Sequence, residues 1–580
     1  MFGVLRLGKL GASMKKAGFN PSALFAASEQ GAWYDPSDMS TMYQDAAGTT
    51  PCYQPGQGQV DPPVGLLLDK RLGLARGPER LVNGDFSAGA ANWSVSGNDA
   101  THIATFSGGT LRFQSDTTSP VMLVQQLGAM VVGRWYEITF TVSAWVSGSL
   151  KSDNFVQAGL TLASGVGVYK VIGLSSSTTF AFLRASANVD LTIDSISVRE
   201  VLGNHAYQTT TTSRPTLSAR YNLFANTEDA SAWTKTRGDT GTSPVVTPDA
   251  AVAPNGTLSA DRCVMSRGSG TTSAAYSLVY QSASHSVATV SLRSVWMRSF
   301  TGANQTVLLY DGSQAIGRVV TVTPAWQQFF LTGGTAAAVS SLVIGTRGGD
   351  PGTYYASGGD PNLDILIWGM DLRAASDGVG LPPYQRVVDA NTYDTAGFPL
   401  YLQFDGVDDF LQTASVDFRG TDKLFASAAL RKLSDAAAGI VVELSLVSNS
   451  NPGAFALLAP SGTNPTLGVY LRGATTVITN IPSGIASPAS RVLTGVFDLA
   501  AAITQQARSR INGQPSGVST SIDAGGGVFG SYPLYVGKRG LNTSTMFNGR
   551  LYSLLIRGAA TPDATIATVE SYLNQKARVY

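Results

Sequence analysis

The stretch LVNGDFSAGAANWSVSG, residues 81–97, is nearly repeated by YNLFANTEDASAWTKTRG, residues 221–238. Each has an Asn, a run of small and acidic residues, and then a Trp followed by polar, strand-like sequence. Each is followed by an alternating apolar segment with its own Trp and by a short closing strand: 135–145 and 191–201 after the first, 287–297 and 363–375 after the second. A loose repeat on this scale predicts two homologous β-domains in tandem.

The composition favours strands joined by tight turns. The chain has 580 residues, enough for three or four domains that each bury a core. Charged residues make up only 14% while Gly reaches 63, and β-branched and aromatic side chains suit a pleated, half-buried surface. The formal net charge of +1 provides no long-range field for nucleic acid or anionic membranes, so we expect neither as a partner.

Cysteine and histidine usage argues against several kinds of site. The two cysteines, Cys52 and Cys263, lie in different predicted domains, and secreted scaffolds that depend on disulfides are much richer in cysteine. The three histidines, His102, His205 and His285, show none of the clustered spacing that zinc sites need. His285 lies in the polar stretch SASHSV, which predicts a solvated loop rather than a catalytic group.

Neither a secretion signal nor a membrane span is predicted. Basic residues occur near the N-terminus, but no apolar core and small-residue cleavage site follow them. Nowhere do eighteen apolar residues run together. A β-rich, adhesion-like chain without a secretion signal is expected if the protein is a virion component, which is made in an infected cytoplasm and released by lysis.

Changes in composition divide the chain into five parts. Residues 1–77 are turn-rich and irregular, and they predict an anchoring segment that docks onto something else. Residues 78–203 and 221–387 predict the two jelly-roll β-sandwich domains, with residues 204–220 as a polar linker between them. Residues 388–580 predict a further sandwich. The fold class is therefore mostly β, with one C-terminal helix.

Two local signals in the last part are specific. Asn512-Gly513 is the strongest two-residue hairpin signal. Pro562-Asp563 predicts the start of the C-terminal helix, because Ile566, Val569, Tyr572 and Leu573 follow on one face at helical spacing.

The C-terminal third carries a family resemblance. LQFDGVDDFLQT (402–413), RINGQ (510–514) and FNGRLYSLLIRGAATPDATIATVESYLNQK (547–576) together resemble the concanavalin A-like or laminin-G-like sandwich family. The two repeats, through NGDFSAGAANW and NLFANTEDASAW, look like carbohydrate-binding-module jelly rolls. These resemblances imply β-sandwiches that bind glycans.

The N-terminal part carries a second resemblance. GAWYDPSDMSTMYQDAAGTTP (31–51), VGLLLDK (64–70) and GNHAYQTTTTSRPTLSAR (203–220) resemble bacteriophage tail or virion structural proteins. In that family the LLLDK and GNHA pieces lie close in sequence, whereas here the first β-domain separates them. The resemblance implies a module inserted into a shared scaffold, and contact with other virion proteins through the N-terminal segment.

Tryptophans are the candidate glycan contacts, since a sugar's C–H face packs on an aromatic ring. The candidates are Trp93, Trp145, Trp233, Trp296, Trp326 and Trp368. Trp145, Trp296 and Trp368 lie inside alternating strands, which favours a place in the core. Trp93 and Trp233 follow loop-like stretches and are the predicted ligand-binding residues, although their repeated position also fits a shared packing role.

Acidic residues offer one candidate metal site. Asp405, Asp408 and Asp409 could coordinate Ca²⁺, a cation that takes several oxygen ligands, or they could cap backbone N–H groups in a turn. Asp85 and the pair 228–229 could hold the calcium that some carbohydrate-module jelly rolls carry near an edge loop. The sequence predicts no other cofactor.

The favoured function is attachment. We expect a structural component of a tailed-phage virion, fibre-like and homotrimeric, that binds a host-surface glycan without catalysis. A purely architectural virion protein is the first alternative, and a polysaccharide depolymerase is the second. A depolymerase needs paired carboxylates about 5–10 Å apart across a cleft, and the sequence has no glycosidase motif.

Overall fold

The structure is a computed structural model that describes residues 19–157, 159–185, 187–350, 354–375, 384–474, 477–480, 484–518, 523–542 and 544–578. Antiparallel strands dominate the described chain and form two inserted β-sandwiches and a larger β-sandwich, here called the scaffold. The mostly-β expectation is confirmed. None of the helices in the described ranges is long and apolar enough to cross a membrane.

The described N-terminal segment belongs to the scaffold. Its strands are β1 (Gly31–Tyr34), β2 (Met42–Tyr43) and β3 (Leu66–Leu67). A short 3₁₀ helix, Met39–Thr41, precedes β2, and the Asp38 side chain caps it by accepting a hydrogen bond from the backbone N–H of Ser40.

The first inserted domain, here called the first jelly roll, follows. Its strands are β4 (Arg76–Glu79), β5 (Ser94–Ser96), β6 (His102–Ser107), β7 (Thr110–Ser115), β8 (Leu123–Gln126), β9 (Trp135–Ser147), β10 (Leu150–Ser152), β11 (Leu160–Ala163), β12 (Gly167–Leu174), β13 (Phe180–Arg184) and β14 (Val189–Val201). One sheet has the order β11-β10-β13-β8-β5, and the other has the order β12-β9-β14-β7-β6, with β4 also paired to β14. Alternate residues of β9 point inward between the sheets, which explains the period of two in its sequence.

The chain then returns to the scaffold through β15 (Ala206–Tyr207) and β16 (Thr216–Ser218), and enters the second jelly roll. The strands of the second jelly roll are β17 (Thr234–Gly238), β18 (Val245–Val252), β19 (Leu258–Ser266), β20 (Tyr276–Thr289), β21 (Ser291–Ser299), β22 (Gln305–Asp311), β23 (Ile316–Val322), β24 (Gln327–Thr332), β25 (Ala337–Arg347) and β26 (Asn362–Ala374). Its sheets have the orders β17-β20-β25-β22-β23 and β18-β19-β26-β21-β24.

The two jelly rolls have the same topology, strand for strand. When β5 is matched to β17 and the count continues to β14 and β26, both sheet orders of the first domain become those of the second. In each domain most successive strands cross from one sheet to the other, and two pairs of successive strands, β6–β7 and β10–β11 in the first domain, stay in one sheet as hairpins. The diverged sequence repeat is therefore a structural repeat.

A hydrogen bond explains the repeated Asn and Trp. The indole Nε1 of Trp93 donates to the backbone carbonyl of Asn83 at 3.0 Å, and that of Trp233 donates to the carbonyl of Asn226 at 2.7 Å. Both Asn residues have φ near +50° to +60°, a left-handed conformation that Asn adopts more readily than most residues. The repeated phrase closes the loop that precedes the first strand of each domain.

The rest of the scaffold follows the second jelly roll. Its strands are β27 (Val387–Asp389), β28 (Thr392–Tyr393), β29 (Tyr401–Asp405), β30 (Leu411–Asp417), β31 (Lys423–Lys432), β32 (Ile440–Leu444), β33 (Ala454–Leu458), β34 (Gly468–Arg472), β35 (Val477–Asn480), β36 (Ala489–Asp498), β37 (Ala507–Ile511), β38 (Gln514–Val518), β39 (Ser531–Val536) and β40 (Asn548–Arg557). Its helices are α1 (Ile503–Gln506) and α2 (Asp563–Ala577). The Asn512-Gly513 turn joins β37 to β38, and α2 buries Ile566, Val569 and Leu573, as the sequence predicts.

The scaffold draws on three separate parts of the chain. One sheet has the order β16-β29-β40-β31-β36-β37-β38, with β1 also paired to β40, and the other has the order β2-β3-β15-β30-β39-β32-β33-β34-β35. Residues 204–220 are therefore not a linker, because β15 and β16 pair within these sheets. The described part of residues 1–77 packs into the scaffold, since Tyr34, Met42 and Leu67 are buried in its core. Residues 1–18, which contain the basic residues near the N-terminus, lie outside the described residues.

The first neck, where the chain leaves for the first jelly roll and returns, is closed by the buried carboxylate of Asp69. One oxygen accepts hydrogen bonds from the backbone N–H groups of Trp33 and Arg71, both at 2.9 Å. The other accepts from the N–H of Asn204 at 2.8 Å and from Nε of Arg71 at 3.0 Å. Burial lowers the pKa of His205 to about 3, so its neutral ring accepts the N–H of Asp69 at Nδ1.

The second neck, where the chain leaves for the second jelly roll and returns, is closed by two buried side-chain amides. The Gln385 side chain accepts from the N–H groups of Tyr221 and Asn222 at 2.7 and 2.9 Å, and it donates to the carbonyls of Ala219 and Asp394. The Asn222 side chain in turn bonds four backbone groups on both sides of the neck. Each amide thus fills its full hydrogen-bonding capacity with backbone partners.

Asp69→Ala is expected to destabilise the scaffold by about 3–5 kcal/mol, because it leaves several buried N–H donors and the Arg71 guanidinium without their acceptor. Thermal and denaturant unfolding of the full chain would measure this. Asp417→Asn, at an exposed carboxylate paired with Arg419, is the matched control and is expected to change stability by less than about 1 kcal/mol. Equal effects of the two substitutions would contradict the role of Asp69.

Candidate functional site

A cavity on the second jelly roll, next to the second neck, is here called the acidic pocket. Its volume is about 340 Å³. It is lined by Asn226, Thr227, Glu228, Asp229, Ser231, Pro248, Asp249, Ser259, Asp261, Arg386, Val387 and Val388. Asp229, Asp249 and Arg386 are exposed and form the mouth, while Thr227, Asp261 and Val387 are buried.

Three segments supply the walls of the acidic pocket. The loop after Asn226 is closed by the Trp233 indole and ends in a 3₁₀ helix whose N-cap is Asp229. The β18 strand contributes Asp249, which lies within the register shift between Thr247 and Ala251 of the β18–β19 hairpin and has φ of +51°. The returning segment at β27 contributes the third wall.

Asp261 joins two of these walls. Its carboxylate is 1% exposed and accepts hydrogen bonds from the N–H of Ala230 at 2.5 Å and from the N–H of Asp249 at 2.9 Å. Burial raises the pKa of the Asp261 carboxyl to about 6, against the two hydrogen bonds, and repulsion from Asp229 and Asp249 adds to the rise. Its main role in the site is therefore to fix the distance between the loop and the hairpin.

Glu228 joins the third wall to the loop. Its carboxylate lies 3.3 Å from Nε of Arg386 and accepts a hydrogen bond from the Tyr384 hydroxyl at 3.1 Å. The Tyr384 oxygen is also 2.8 Å from Oγ1 of Thr227. Burial and the Glu228 charge raise the pKa of Tyr384 above its ordinary value, so the phenol stays a neutral donor.

An aromatic cluster lies directly behind the acidic pocket. The rings of Trp368 and Tyr384 are 4.8 Å apart, and Nε1 of Trp368 donates to Oγ of Ser259 in the pocket wall at 3.0 Å. Trp296 and Trp326 are partly buried against the same cluster. None of these rings is among the lining residues, so the acidic pocket itself offers carboxylate, amide and hydroxyl groups.

The predicted ligand-binding tryptophans do not line this site. Trp93 is 8% exposed and Trp233 is 4% exposed, and both pack in the domain cores with their indole N–H groups bonded to backbone. Their repeated position reflects the shared packing role. Trp233 acts on the site only indirectly, by holding the carbonyl of Asn226.

Trp145, for which the sequence favours a place in the core, is exposed instead. Of the eight tryptophans, all within the described ranges, it is the only one in the exposed class, at 43%. It lies at the end of β9, where the pairing with β14 shifts register, so the alternation that predicts a core position does not continue. Trp368 is buried, as the sequence predicts, but in the cluster behind the acidic pocket.

The Asp405, Asp408 and Asp409 group lies in the scaffold, far from the acidic pocket in sequence. Its carboxylate oxygens lie within 4.8 Å of one another, and within the described residues no other group of three such ligands is this close. Asp405 accepts the N–H of Val407 at 2.8 Å, and Asp408 accepts the hydroxyl of Ser213 at 2.8 Å. Burial and repulsion from Asp405 raise the pKa of Asp409 to about 7. The group caps a turn and could also hold a cation.

The cysteines and histidines pack or bond within the fold and do not line the acidic pocket. Cys52 and Cys263 are buried free thiols. His102 is buried between two carboxylates, and His205 is part of the first neck. His285 is not in a solvated loop: it lies in β20, and its Nε2 is 2.8 Å from a serine hydroxyl on β25.

Sequence reasoning identified Glu228 and Asp229 as candidates for a calcium site but missed Asp249, Asp261 and Arg386. A signal for two of these residues exists, because Asn255-Gly256 is a hairpin turn with Asp249 and Asp261 on its two arms. Arg386 has no such signal, since it reaches the acidic pocket only through the return of the chain at the second neck.

Comparisons with known proteins do not assign the chain to a family. No family model matches it, and no curated protein sequence matches it. A tandem of two CBM22 domains of Xyn10C from Paenibacillus barcinonensis is 14% identical, with 52% of this chain and 99% of that chain covered, at a TM-score of 0.20. The CBM40 domain of the Ruminococcus gnavus IT-sialidase, bound to α2,6-sialyllactose, is 13% identical over 26% of this chain and 83% of its own, at 0.21. Domains LG4-5 of the mouse laminin α1 chain are 9% identical over 48% and 85%, at 0.21.

Trp93→Ala is expected to destabilise the first jelly roll by about 3–5 kcal/mol, because it empties a large buried site and removes the bond to the Asn83 carbonyl. Trp145→Ala, on the same domain, is expected to change stability by less than about 1 kcal/mol. Denaturant unfolding of both variants would test the contrast, and a larger loss from Trp145→Ala would reverse the assignment of buried and exposed positions.

Binding of Ca²⁺ by Asp405, Asp408 and Asp409, here called the Asp405 group, stays a prediction. If the group holds Ca²⁺, a Ca²⁺ concentration about 100 times its Kd should stabilise the folded chain by about 2.7 kcal/mol relative to EDTA. Asp408→Asn should abolish that gain, whereas Asp153→Asn, at an exposed carboxylate of the first jelly roll, should keep it. Thermal unfolding in both buffers is the measurement, and an equal gain in all three proteins would exclude this group.

Proposed function

We propose that the protein attaches a particle to a cell surface by binding a glycan in the acidic pocket of the second jelly roll, without cleaving it. The observation that carries the proposal is the composition of that pocket. A cavity of about 340 Å³ is large enough for one or two sugar rings, and its lining offers carboxylate, amide and hydroxyl groups to a sugar's hydroxyls.

The walls of the acidic pocket are fixed before a ligand arrives. Asp261 holds the loop and the hairpin together, and Glu228 is held by Arg386 and Tyr384. Such positioned groups lose little conformational freedom on binding, which favours affinity in a small site. Weak single sites would add through avidity in an oligomer, for which we propose a homotrimer.

The same bonds favour binding over hydrolysis. A general acid must deliver its proton to the leaving oxygen, yet both oxygens of Asp261 accept backbone N–H groups. Glu228 is engaged by a guanidinium and a phenol. We therefore propose that the chain is not a depolymerase.

The setting that we propose is the virion of a tailed phage. Its support is the resemblance carried by residues 31–51, 64–70 and 203–220. The particle contacts would then come from outside the acidic pocket, with other virion proteins as partners. Mass spectrometry of purified particles should find the chain at a fixed copy number, and its absence from them would overturn this part of the proposal.

One observation favours an architectural role as the second candidate. Trp145, Val146, Val166 and Val168 are 43–70% exposed where β9 ends and β12 begins. Trp135, at the other end of β9, packs against the scaffold about 33 Å away, at 3.3 Å per residue along the strand. Exposed apolar side chains grouped in this way are typical of protein contacts.

Binding of the purified full chain to a panel of soluble oligosaccharides would test the proposal, with release of reducing ends measured in the same samples. We expect saturable binding without release. Glu228→Ala should weaken binding by about 10–100-fold, through loss of a charged hydrogen-bonding group. Trp145→Ala, at the far end of the other jelly roll, should leave affinity unchanged.

Three outcomes would count against the proposal. Release of reducing ends would support the depolymerase. Loss of binding in Trp145→Ala but not in Glu228→Ala would move the site to the first jelly roll. Absence of binding to any glycan, with the variant folds intact, would leave the architectural role.

A further inference from the structure

The acidic pocket carries a marked excess of negative charge. Four of its twelve lining residues are carboxylates, Glu228, Asp229, Asp249 and Asp261, and one is a guanidinium, Arg386. A cleft lined by one sign of charge concentrates ligands of the other sign. The whole chain, by contrast, has a formal net charge of +1, so the excess is local.

The cations near the acidic pocket do not offset this charge. The Arg386 guanidinium is paired with Glu228. The Lys235 ammonium is held at the outer side of the loop by the carbonyl of Ser231 at 2.6 Å and that of Trp233 at 3.2 Å, and it is not part of the lining. Asp229 and Asp249 therefore remain at the mouth without a cationic partner among the described ion pairs, while the buried Asp261 is bonded to backbone N–H groups.

A metal ion does not account for these carboxylates. Among the residues that the structure describes, the only three candidate ligands within 4.8 Å of one another are in the Asp405 group. The carboxylates of the acidic pocket are spread around a cavity of about 340 Å³ instead of converging on one point. Spread carboxylates suit an organic cation, whose donors point in several directions, better than a compact ion that needs six to eight oxygens.

We propose that the acidic pocket selects a glycan with a free ammonium group, such as a hexosamine whose amine is not acetylated. This inference rests on the proposed glycan binding. The ammonium would lie at the mouth, next to Asp229 and Asp249, and the sugar hydroxyls would lie against Ser231 and Ser259. An acidic sugar would be rejected because its carboxylate would face the exposed carboxylates of Asp229 and Asp249.

The expected preference is moderate, because the rim carboxylates are exposed and solvent screens them. An exposed ion pair contributes up to about 1 kcal/mol, so two rim carboxylates give roughly a tenfold preference for the ammonium over its acetylated form. The preference should fall as ionic strength rises from about 50 to 500 mM, since the Debye length shortens.

The test is calorimetry on the full chain at pH 6.5 with three tetrasaccharide probes: a glucosamine oligomer, its fully N-acetylated form and a glucuronate-containing oligomer. We expect the first to bind about tenfold more tightly than the second, and the third not to bind. Asp249→Asn should reduce the preference between the first two probes from about tenfold to about threefold, because Asp229 remains. Asn adopts the left-handed conformation of this position, so the fold should be retained.

The control is Asp153→Asn, at a carboxylate of similar exposure on the first jelly roll, which should keep the preference. Equal affinity of the amine and acetylated probes, or tighter binding of the glucuronate probe, would overturn this inference while leaving glycan binding intact. Binding of none of the three probes, together with no binding across the wider oligosaccharide panel, would overturn both proposals. An Asp249→Asn variant that unfolds at the temperature of the parent chain but keeps the full preference would also overturn it.

Discussion

The whole arrangement depends on holding two pairs of distant chain segments together inside the scaffold. Both jelly rolls are insertions, so the scaffold core exists only if the chain returns to the place it left. At the first neck one carboxylate, Asp69, receives hydrogen bonds from both sides of the insertion. At the second neck a neutral amide, Gln385, has the same role. A buried polar group is costly unless it is fully bonded, and this cost makes each neck specific for one return point.

The two necks differ in kind. Asp69 carries a charge that Arg71 compensates at 3.0 Å, and charge-assisted hydrogen bonds are stronger than neutral ones. Gln385 and Asn222 need no counter-ion, because each amide matches its donors and acceptors to backbone groups. The second neck also forms one side of the acidic pocket through Arg386, so closing the insertion and building the site are one event.

Local patterns predicted much of the fold. The repeated Asn and Trp indicated the tandem domains, and both repeats fold through one hydrogen bond to the Asn carbonyl. The hairpin at Asn512-Gly513 and the helix after Pro562 have short-range causes, and both are present. The place of the N-terminal segment could not be predicted in this way. Pairing of Gly31 with Arg557 depends on surfaces that meet only in the folded chain.

The candidate site was less accessible to prediction, for two physical reasons. Alternation along a strand assigns side chains to two faces, but it does not say which face is covered, and a register shift near Trp145 ends the alternation. The acidic pocket also takes its carboxylates and its guanidinium from three segments spread over about 160 residues. Glu228 stood out in the sequence, but its partner Arg386 became a neighbour only through the second neck.

The shared topology of the two jelly rolls has a consequence for how such a chain can change over time. Each module enters and leaves through adjacent segments, so the scaffold contacts only a small part of either one. Surface loops of a module can diverge, or a whole module can be exchanged for another sandwich with neighbouring termini, while the scaffold core keeps its contacts. The surface of a module can then change at a different rate from the scaffold core.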